Sequence, residues 1–503
     1  MAGAKLYSRP LMKPFYTARD FLPAWSHDGR VISQVEALRR VAQGVRDQGL
    51  DPDFYHGSKI EELLASLGEQ EGQKRVAALA DLDLLLTDTF FLLGNHFSSA
   101  LFNIYRSQMI MFRIPPEVSL SALLERALAE GRVQESLEGL LPVIGGYPQM
   151  VRELARMRRL AEQGGWPTVP KIKKLEPGAM DPRVADVRLR LEATGEIPIS
   201  KRPGDASGSE VYDEALVRAV TEFQQRHGLI PDGIVGSGTI AAMNVPVEKR
   251  VCQLIINMDR IRYMARLFRK PSYVVVNIPG FEVRVFEEER QIMDMKAIVG
   301  RKDRETPVMS NKLRYLVFSP KWRVPPTIAV EDKLPIIQKD PGYLERSGMT
   351  LFADEGVEVD PYLVDWSQVG AENFPYHIVQ DPGRANAMGR VKFMFPNRYS
   401  VYLHDTPSKY LFKRQVRMFS SGCIRIAKPV ELAQYLLRDK KGWDQKRIQE
   451  AMHREKVLYV NLSEPVPIHL TYLTAWVDGQ GNVVFYNDIY KRDRAYERRL
   501  CRD

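Results

Sequence analysis

The sequence predicts a multidomain α+β protein: a helical N-terminal region, a small three-helix module, and a mostly β domain interrupted by an inserted subdomain. Three observations predict it. Apolar residues recur at three- and four-residue spacing through the first 165 residues. From Pro271 onward the period changes to short β-rich runs separated by Gly and Pro clusters. Between the two, GGWPTVPKIKKLEPGAMDP (residues 164–182) has the composition of a linker and marks a domain boundary.

The helical region spans residues 1–165. Its clearest stretches are Ile60–Leu67, Val76–Leu86, Leu120–Ala129 and Met150–Ala161, punctuated by Pro115-Pro116 and Gly145-Gly146. His56 and His96 stand alone and read as packed or surface imidazoles. Residues 166–247 hold the linker and the small module. Its helices are expected at Val184–Glu192, at Val211–His227, and after PDGIVGSGT to about Met243. In the second, Leu216, Val220, Phe223 and His227 share one side, and Gly228 is placed to cap the end. Phe223 and Leu229 read as core. A connecting helix, 248–270, follows, with Val251, Leu254, Ile255, Met258 and Ile261 on one stripe. Cys252 lies at the edge of that stripe and reads as a buried, inert thiol. A bridge to Cys501 stays open, although nothing in the sequence brings the two together.

The β domain is expected over 271–465. Its strands are Tyr273–Ile278, Glu282–Glu287, Gln291–Val299, Leu313–Phe318, Val391–Phe395 and Ser400–His404. The insert at about 320–390, rich in Pro, Trp and Asp, is too long for a structureless loop and reads as a subdomain such as a lid. Pro429–Arg438 reads as a helix with Pro in its first turn. Strands return at Val457–Asn461 and Ile468–Phe485, and residues 466–503 form a C-terminal section. GQG makes a turn there, and the basic run Lys491–Arg502 reads as a solvated tail.

Composition narrows the function classes. Hydrophobic residues at 44% and charged residues at 27% exclude wholesale disorder, collagen and a coiled-coil rod. The net charge of +9 comes from 72 basic and 63 acidic residues mixed along the chain, so nucleic acid is not an expected partner. No apolar run reaches the roughly 18 residues of a membrane span. The best, around Leu82–Leu93, is broken by Asp83 and Asp88. Met1–Phe15 carries Lys5, Arg9 and Lys13 but no apolar segment, so no signal peptide is visible. The expectation is a cytosolic protein, or an exported one without its leader. The 3 cysteines are too few for a disulfide scaffold and lack metal spacing. Without HExxH, CxxC, GxGxxG or P-loop patterns, neither a metal nor another cofactor is expected.

The chemistry concentrates in YLHDTPSKYLFKRQVRMFSSGCIRI, residues 402–426. In a strand Tyr402 and His404 share one face, with Val401 and Leu403 on the other. Cys423 follows Ser420-Ser421-Gly422, a polar tight turn that lets the backbone approach a ligand. A free thiol, with a pKa of about 8.5, is mostly protonated at neutral pH. An adjacent imidazole that takes its proton makes the nucleophile. N–H groups around Gly422 and Cys423 suit a developing oxyanion, and Arg425 adds positive potential that favours the thiolate.

This run resembles the His-x(n)-Ser-x-Gly-Cys-x-Arg signature of L,D-transpeptidase (YkuD-type) catalytic domains. VGRKDRETPVMSNKLRYLVFSPKWRVPPTIA, DPGYLE, DPGRANAMGRVKFMFPN and HLTYLTAWVDGQGNVVFYNDIY resemble the large YcbB-like subgroup. VRAVTEFQQRHGLIPDGIVGSGT resembles the small helical peptidoglycan-binding module. GLDPDFYH and GGWPTVP resemble the subgroup's N-terminal scaffold, so the similarity spans roughly residues 15–495. The resemblance implies a periplasmic or cell-envelope enzyme acting on peptidoglycan tetrapeptide stems as donor and acceptor, alongside cell-wall synthesis proteins. Cys423 would attack the carbonyl between the third residue, a diamino acid, and terminal D-Ala. A second stem's amine would resolve the thioester into a 3→3 cross-link. His404 would be the base, oriented by the backbone carbonyl of Asp405 rather than its carboxylate. Tyr402, Ser421, Gly422 and Arg425 map to the pocket and oxyanion region. Trp322 and Tyr376 of the insert map to the entrance of a substrate cap, with packing inside the insert as the competing reading.

Two alternatives accompany this one. Water in place of the acceptor amine makes an L,D-carboxypeptidase. A wall-binding scaffold protein with a dead catalytic domain is the third reading, and intact Cys423, His404 and Gly422 oppose it. A papain-like protease is disfavoured because its Cys precedes its His.

Overall fold

The computed structural model describes residues 4–103, 108–109, 118–198 and 210–501; the expected Pro115-Pro116 break lies outside them. The chain forms two compact units, Met1–Arg269 with Leu473–Asp503, and Lys270–Tyr472.

The first unit is helical: α1 (Arg9–Ala18), α2 (Gln34–Gly44), α3 (Gly57–Ser66), α4 (Gly72–Ser98), α5 (Leu120–Glu130), α6 (Val133–Glu138) and α7 (Tyr147–Glu162). Among the described residues three short pairs of strands accompany them, β1 (Ser26–His27) with β2 (Arg30–Val31), β3 (Phe102–Asn103) with β4 (Gln108–Met109), and Ala475–Val477 with Val483–Phe485. Helix α4 runs 27 residues, far past the expected Leu86. Its second half, from Phe90 to Phe97, is buried on every side, so it carries no amphipathic period to read. The two acids that interrupt its apolar run are anchors. Asp83 accepts the Trp25 N–H at 2.7 Å and the Tyr16 hydroxyl at 2.6 Å. Asp88 accepts the Ser8 N–H at 2.7 Å and meets His56 Nε2 at 2.7 Å. Each buried carboxylate is thus satisfied, as burial of a charge requires. His96 is buried against the Tyr55 hydroxyl at 2.7 Å.

The small module holds α8 (Arg183–Thr194), α9 (Glu214–Arg226) and α10 (Ser237–Met243) around Val184, Leu191, Leu216, Val220, Phe223 and Met243. Asp213 caps α9, and Gly228 at φ 59° follows its end. His227 stacks on Phe223 with ring centroids 3.8 Å apart. Helix α11 (Val247–Met264) carries Cys252, which is disulfide-bonded to Cys501 and is not an inert thiol. The expected basic tail is corrected for the same reason. Residues Arg494–Leu500 form a helix whose Tyr496 is buried, with the Arg260 guanidinium 4.6 Å from its ring and paired to Asp493 at 2.7 Å.

The second unit is built on β5 (Ser272–Asn277), β6 (Glu282–Glu287), β7 (Arg290–Gly300), β8 (Met309–Phe318), β9 (Trp322–Arg323), β10 (Met349–Phe352), β11 (Glu358–Val359), β12 (His377–Gln380), β13 (Val391–Met394), β14 (Leu403–His404), β15 (Met418–Ser420), β16 (Ile424–Ile426) and β17 (Leu458–Thr471). The main sheet has the order β15-β7-β16-β14-β13-β8-β17-β5-β6, and β6 also pairs with β7, closing the ring of strands. Strand β7 is long enough for both roles: Arg290–Lys296 pair with β6, Ala297 and Ile298 with β16. Val274, Val283, Leu316, Phe393, Leu403 and Ile424 fill the interior. The helices Pro429–Leu437 and Gln445–Met452 add Leu432, Leu436 and Ile448 to the same core. The expected domain limit at 465 falls inside β17, which pairs with β5 as far as Thr471.

The insert has its own four-stranded sheet, β11-β10-β12-β9, and its own core of Trp322, Leu334, Ile337, Leu351, Trp366 and Ile378. The strand expected over Ser400–His404 shrinks to two residues. Asn397 explains this: its side chain bonds the backbone of Phe395, Tyr399 and Val401, and Ser400 turns at φ 54°.

Candidate active site

Neighbouring strands bring the predicted residues onto one face. In the parallel pair β14–β16, Leu403 lies opposite Ile424 and His404 opposite Arg425. Leu403 and Ile424 point into the core, so Tyr402, His404, Cys423 and Arg425 point the other way. The Tyr402 and His404 rings meet edge to face with centroids 5.8 Å apart.

Gly422 at φ 107° makes the turn before the cysteine, a conformation that favours glycine. Its N–H is given to Ser420 Oγ at 3.2 Å, and Ser420 Oγ donates to the Cys423 carbonyl at 2.5 Å. The Cys423 N–H has no partner among the described residues, so it, and not the Gly422 N–H, is free for an oxyanion. The Cys423 thiol is part-exposed and points to the Ser400 carbonyl at 3.8 Å. Burial pushes the thiol pKa up; hydrogen bonds from Tyr402 and the charges of Lys392 and Arg425 pull it back.

His404 is buried, and its Nδ1 donates to the Asp405 carbonyl at 2.6 Å. That bond leaves Nε2 as the basic nitrogen. Burial, then the Arg425 charge, push its pKa down to about 3, with Lys392 in the same direction; bonds to the backbone of Asp405 and Met388 oppose them. The Asp405 carboxylate is occupied elsewhere, accepting the Arg390 N–H at 2.8 Å and pairing with Lys409.

The remaining site residues are engaged differently. The Ser421 hydroxyl accepts from Arg304 Nη1 at 2.9 Å, and the same nitrogen reaches Asp332 of the insert at 2.8 Å. Arg301 also reaches Asp332, at 3.1 Å. Thr306 Oγ1 takes the Gly300 N–H and donates to the Gly422 carbonyl, both at 2.9 Å. The loop 300–306 therefore braces the turn that carries Cys423, a role that sequence reasoning missed; the local signal was the run of charges around one Gly and one Thr. Trp322 and Tyr376, expected at the entrance, are taken up by packing. Trp322 is buried in the insert's core, and the Tyr376 ring lies 5.8 Å from those of Trp366 and Phe374. Among the described residues, no cluster of three or more His, Cys, Asp or Glu is arranged to hold a metal ion.

Comparison with known proteins follows the same division. Residues 271–464 match the family model described as the L,D-transpeptidase catalytic domain (YkuD). Residues 10–154 match a "Scaffold domain", and residues 181–243 a "Putative peptidoglycan binding domain". A Haemophilus influenzae protein named "Putative L,D-transpeptidase" is 35% identical over 255 residues, covering 50% of this chain and 51% of that one. The chain thus spans about half the length of this curated relative. Crystal structures of L,D-transpeptidases from Stackebrandtia nassauensis and Xylanimonas cellulosilytica align at 13% and 15% identity. They cover 61% and 60% of this chain and 96% and 99% of theirs, with TM-scores of 0.22 and 0.19, too low to carry weight. The match to the L,D-transpeptidase catalytic-domain model thus runs along nearly the whole β unit.

Proposed function

We propose that the protein is a cell-envelope L,D-transpeptidase of the YcbB-like subgroup that joins peptidoglycan stems by 3→3 cross-links. The observation that carries this is the shared face of Cys423 and His404, with His404 Nδ1 fixed by the Asp405 carbonyl. A raised thiol and a depressed imidazole make a neutral pair at rest. Cys423 Sγ attacks the carbonyl of the third stem residue as its proton passes to His404. The Cys423 N–H donates to the oxyanion. The C–N bond breaks, His404 returns the proton to the leaving D-Ala amine, and a thioester remains. The side-chain amine of an acceptor stem then attacks the thioester, loses a proton to His404, and the thiol is restored. The match of residues 181–243 to a peptidoglycan-binding model supports a wall substrate. The Cys252–Cys501 disulfide supports a periplasmic location, because such bonds persist in oxidising compartments.

Disaccharide-tetrapeptide incubated with the protein should give a dimer lighter by one D-Ala, read by mass spectrometry, and Cys423→Ala should give none. Tripeptide without dimer means hydrolysis. Turnover by Cys423→Ala removes the nucleophile assignment.

A further inference from the structure

Strand pairing sets Lys392 of β13 opposite His404 of β14, and His404 opposite Arg425 of β16. Paired residues share a face of the sheet, so the imidazole stands in a row between two cations. Lys392 and Arg425 alternate with core residues: Val391 and Phe393 on one strand, Ile424 and Ile426 on the other, are all buried on the opposite face. The Lys392 ammonium lies 5.2 Å from the centre of the Tyr402 ring, on the thiol side of the row. Both cations bias the titration of Cys423 toward the thiolate.

Among the described residues, neither cation has an ion-pair partner. The carboxylate closest in sequence, Asp405, is committed to the Arg390 N–H and to Lys409. Asp332 is committed to Arg301 and Arg304. Arg425 Nε is buried with no hydrogen-bond partner among the described residues. Two part-buried cations of like sign flanking one imidazole are costly unless an anion joins them. The thiolate is one such anion during turnover, but the thiol is neutral before it.

We propose that Lys392 and Arg425 form a carboxylate subsite beside Cys423 that seats a carboxylate flanking the scissile amide of the donor. This rests on the reading of Cys423 as the nucleophile for a peptide stem. A tetrapeptide stem offers such a group on the leaving terminal residue, and a third residue that is a diaminodicarboxylic acid offers a second on its side chain. Seating either fixes the carbonyl against Sγ. It also lets Lys392 and Arg425 act on binding rather than on proton transfer, which His404 performs.

The test is the relative rate at which Cys423, the one free thiol among the described residues, is alkylated by iodoacetate and iodoacetamide. Both reagents react with the thiolate, so its population cancels in the ratio, and only the charge of the reagent remains. The ratio in the wild type should exceed that of the uncharged thiol N-acetylcysteine amide by about tenfold, the scale of a screened unit-charge interaction. Lys392→Gln should remove most of that excess and Lys392→Arg should keep it. In turnover, a stem amidated on the seated carboxylate should lose kcat/KM with the wild type and lose little more with Lys392→Gln. Amidating the terminal and the side-chain carboxylates separately identifies which is seated. A wild-type ratio equal to that of the free thiol overturns the subsite even if stems are cross-linked normally. A raised ratio that Lys392→Gln abolishes supports the subsite even if no stem is turned over, in which case the transpeptidase reading alone fails.

Discussion

His404 is held as a neutral imidazole, and its environment has a consequence for acid stability. The charged groups facing it are the cations Lys392 and Arg425, the Tyr402 ring and the Cys423 thiol share its face, and the backbone of Asp405 and Met388 supplies its hydrogen bonds. Its pKa is near 6.5 in the unfolded chain and about 3 when folded. Above pH 6.5 neither state holds the proton, and the residue is neutral toward stability. As pH falls from 6.5 to 3, the unfolded chain takes a proton that the folded chain refuses, so stability is lost in that window. The loss reaches a few kcal/mol, on the order of 1.4 kcal/mol for each unit of difference. His404→Gln should therefore lose less stability than the wild type between pH 7 and pH 4 in urea titrations. Parallel curves would contradict the buried, neutral assignment. Cys423 and His404 stood out in the sequence as candidates because the cysteine sits in a polar Ser-Ser-Gly turn and not in an apolar stripe, with a His and an Arg nearby. Lys392 was not, because an alternate residue of a strand has meaning only once its neighbour strands are known, and that register is non-local.

The loop between β7 and β8 joins the insert to the turn that carries Cys423. Arg304 gives one nitrogen to both Ser421 and Asp332 and pairs with Glu331 through the other. Its side chain is largely buried, so its loss leaves Ser421 and part of Asp332 without a donor. Arg304→Met should lower kcat/KM for stem turnover by about tenfold, the scale of a charged hydrogen bond. It should leave the ratio of iodoacetate to iodoacetamide rates unchanged, since Arg304 is outside the cationic row. Unchanged turnover would show that the insert needs no such link. Helices α3, α5, α7 and α9 were legible from period alone because each buries one stripe. The full length of α4 was not, since its second half is apolar on all sides, and the short β14 was not, since Asn397 competes for its backbone. The helix Gln445–Met452 also escaped notice, although Asp444 accepts the Arg447 N–H at 2.8 Å as its cap.

At the scale of the molecule, the order of parts was legible because composition changes at each junction: periodic helices, a Gly/Pro linker, then β alternation. The pairing of Cys252 with Cys501 was not. The sequence separates them by 249 residues, and the helix that presents Cys501 had the look of a basic tail. The burial of Tyr496 and the Arg260–Asp493 pair explain why that segment folds back on α11. Closing so long a loop restricts the unfolded chain, an effect worth about 2–5 kcal/mol. Cys501→Ser should lower the melting temperature by calorimetry, and an unchanged melting temperature would mean that the packing around Tyr496 suffices.

The same bond makes the chain a lasso. Residues 252–501 are a covalent ring that contains the whole of Lys270–Tyr472, with the N-terminal region as its free end. A protease that cuts once inside the ring opens it without releasing a fragment. Such a nicked protein migrates as a single species on a gel without reductant and separates into two pieces only when the sulfurs are reduced.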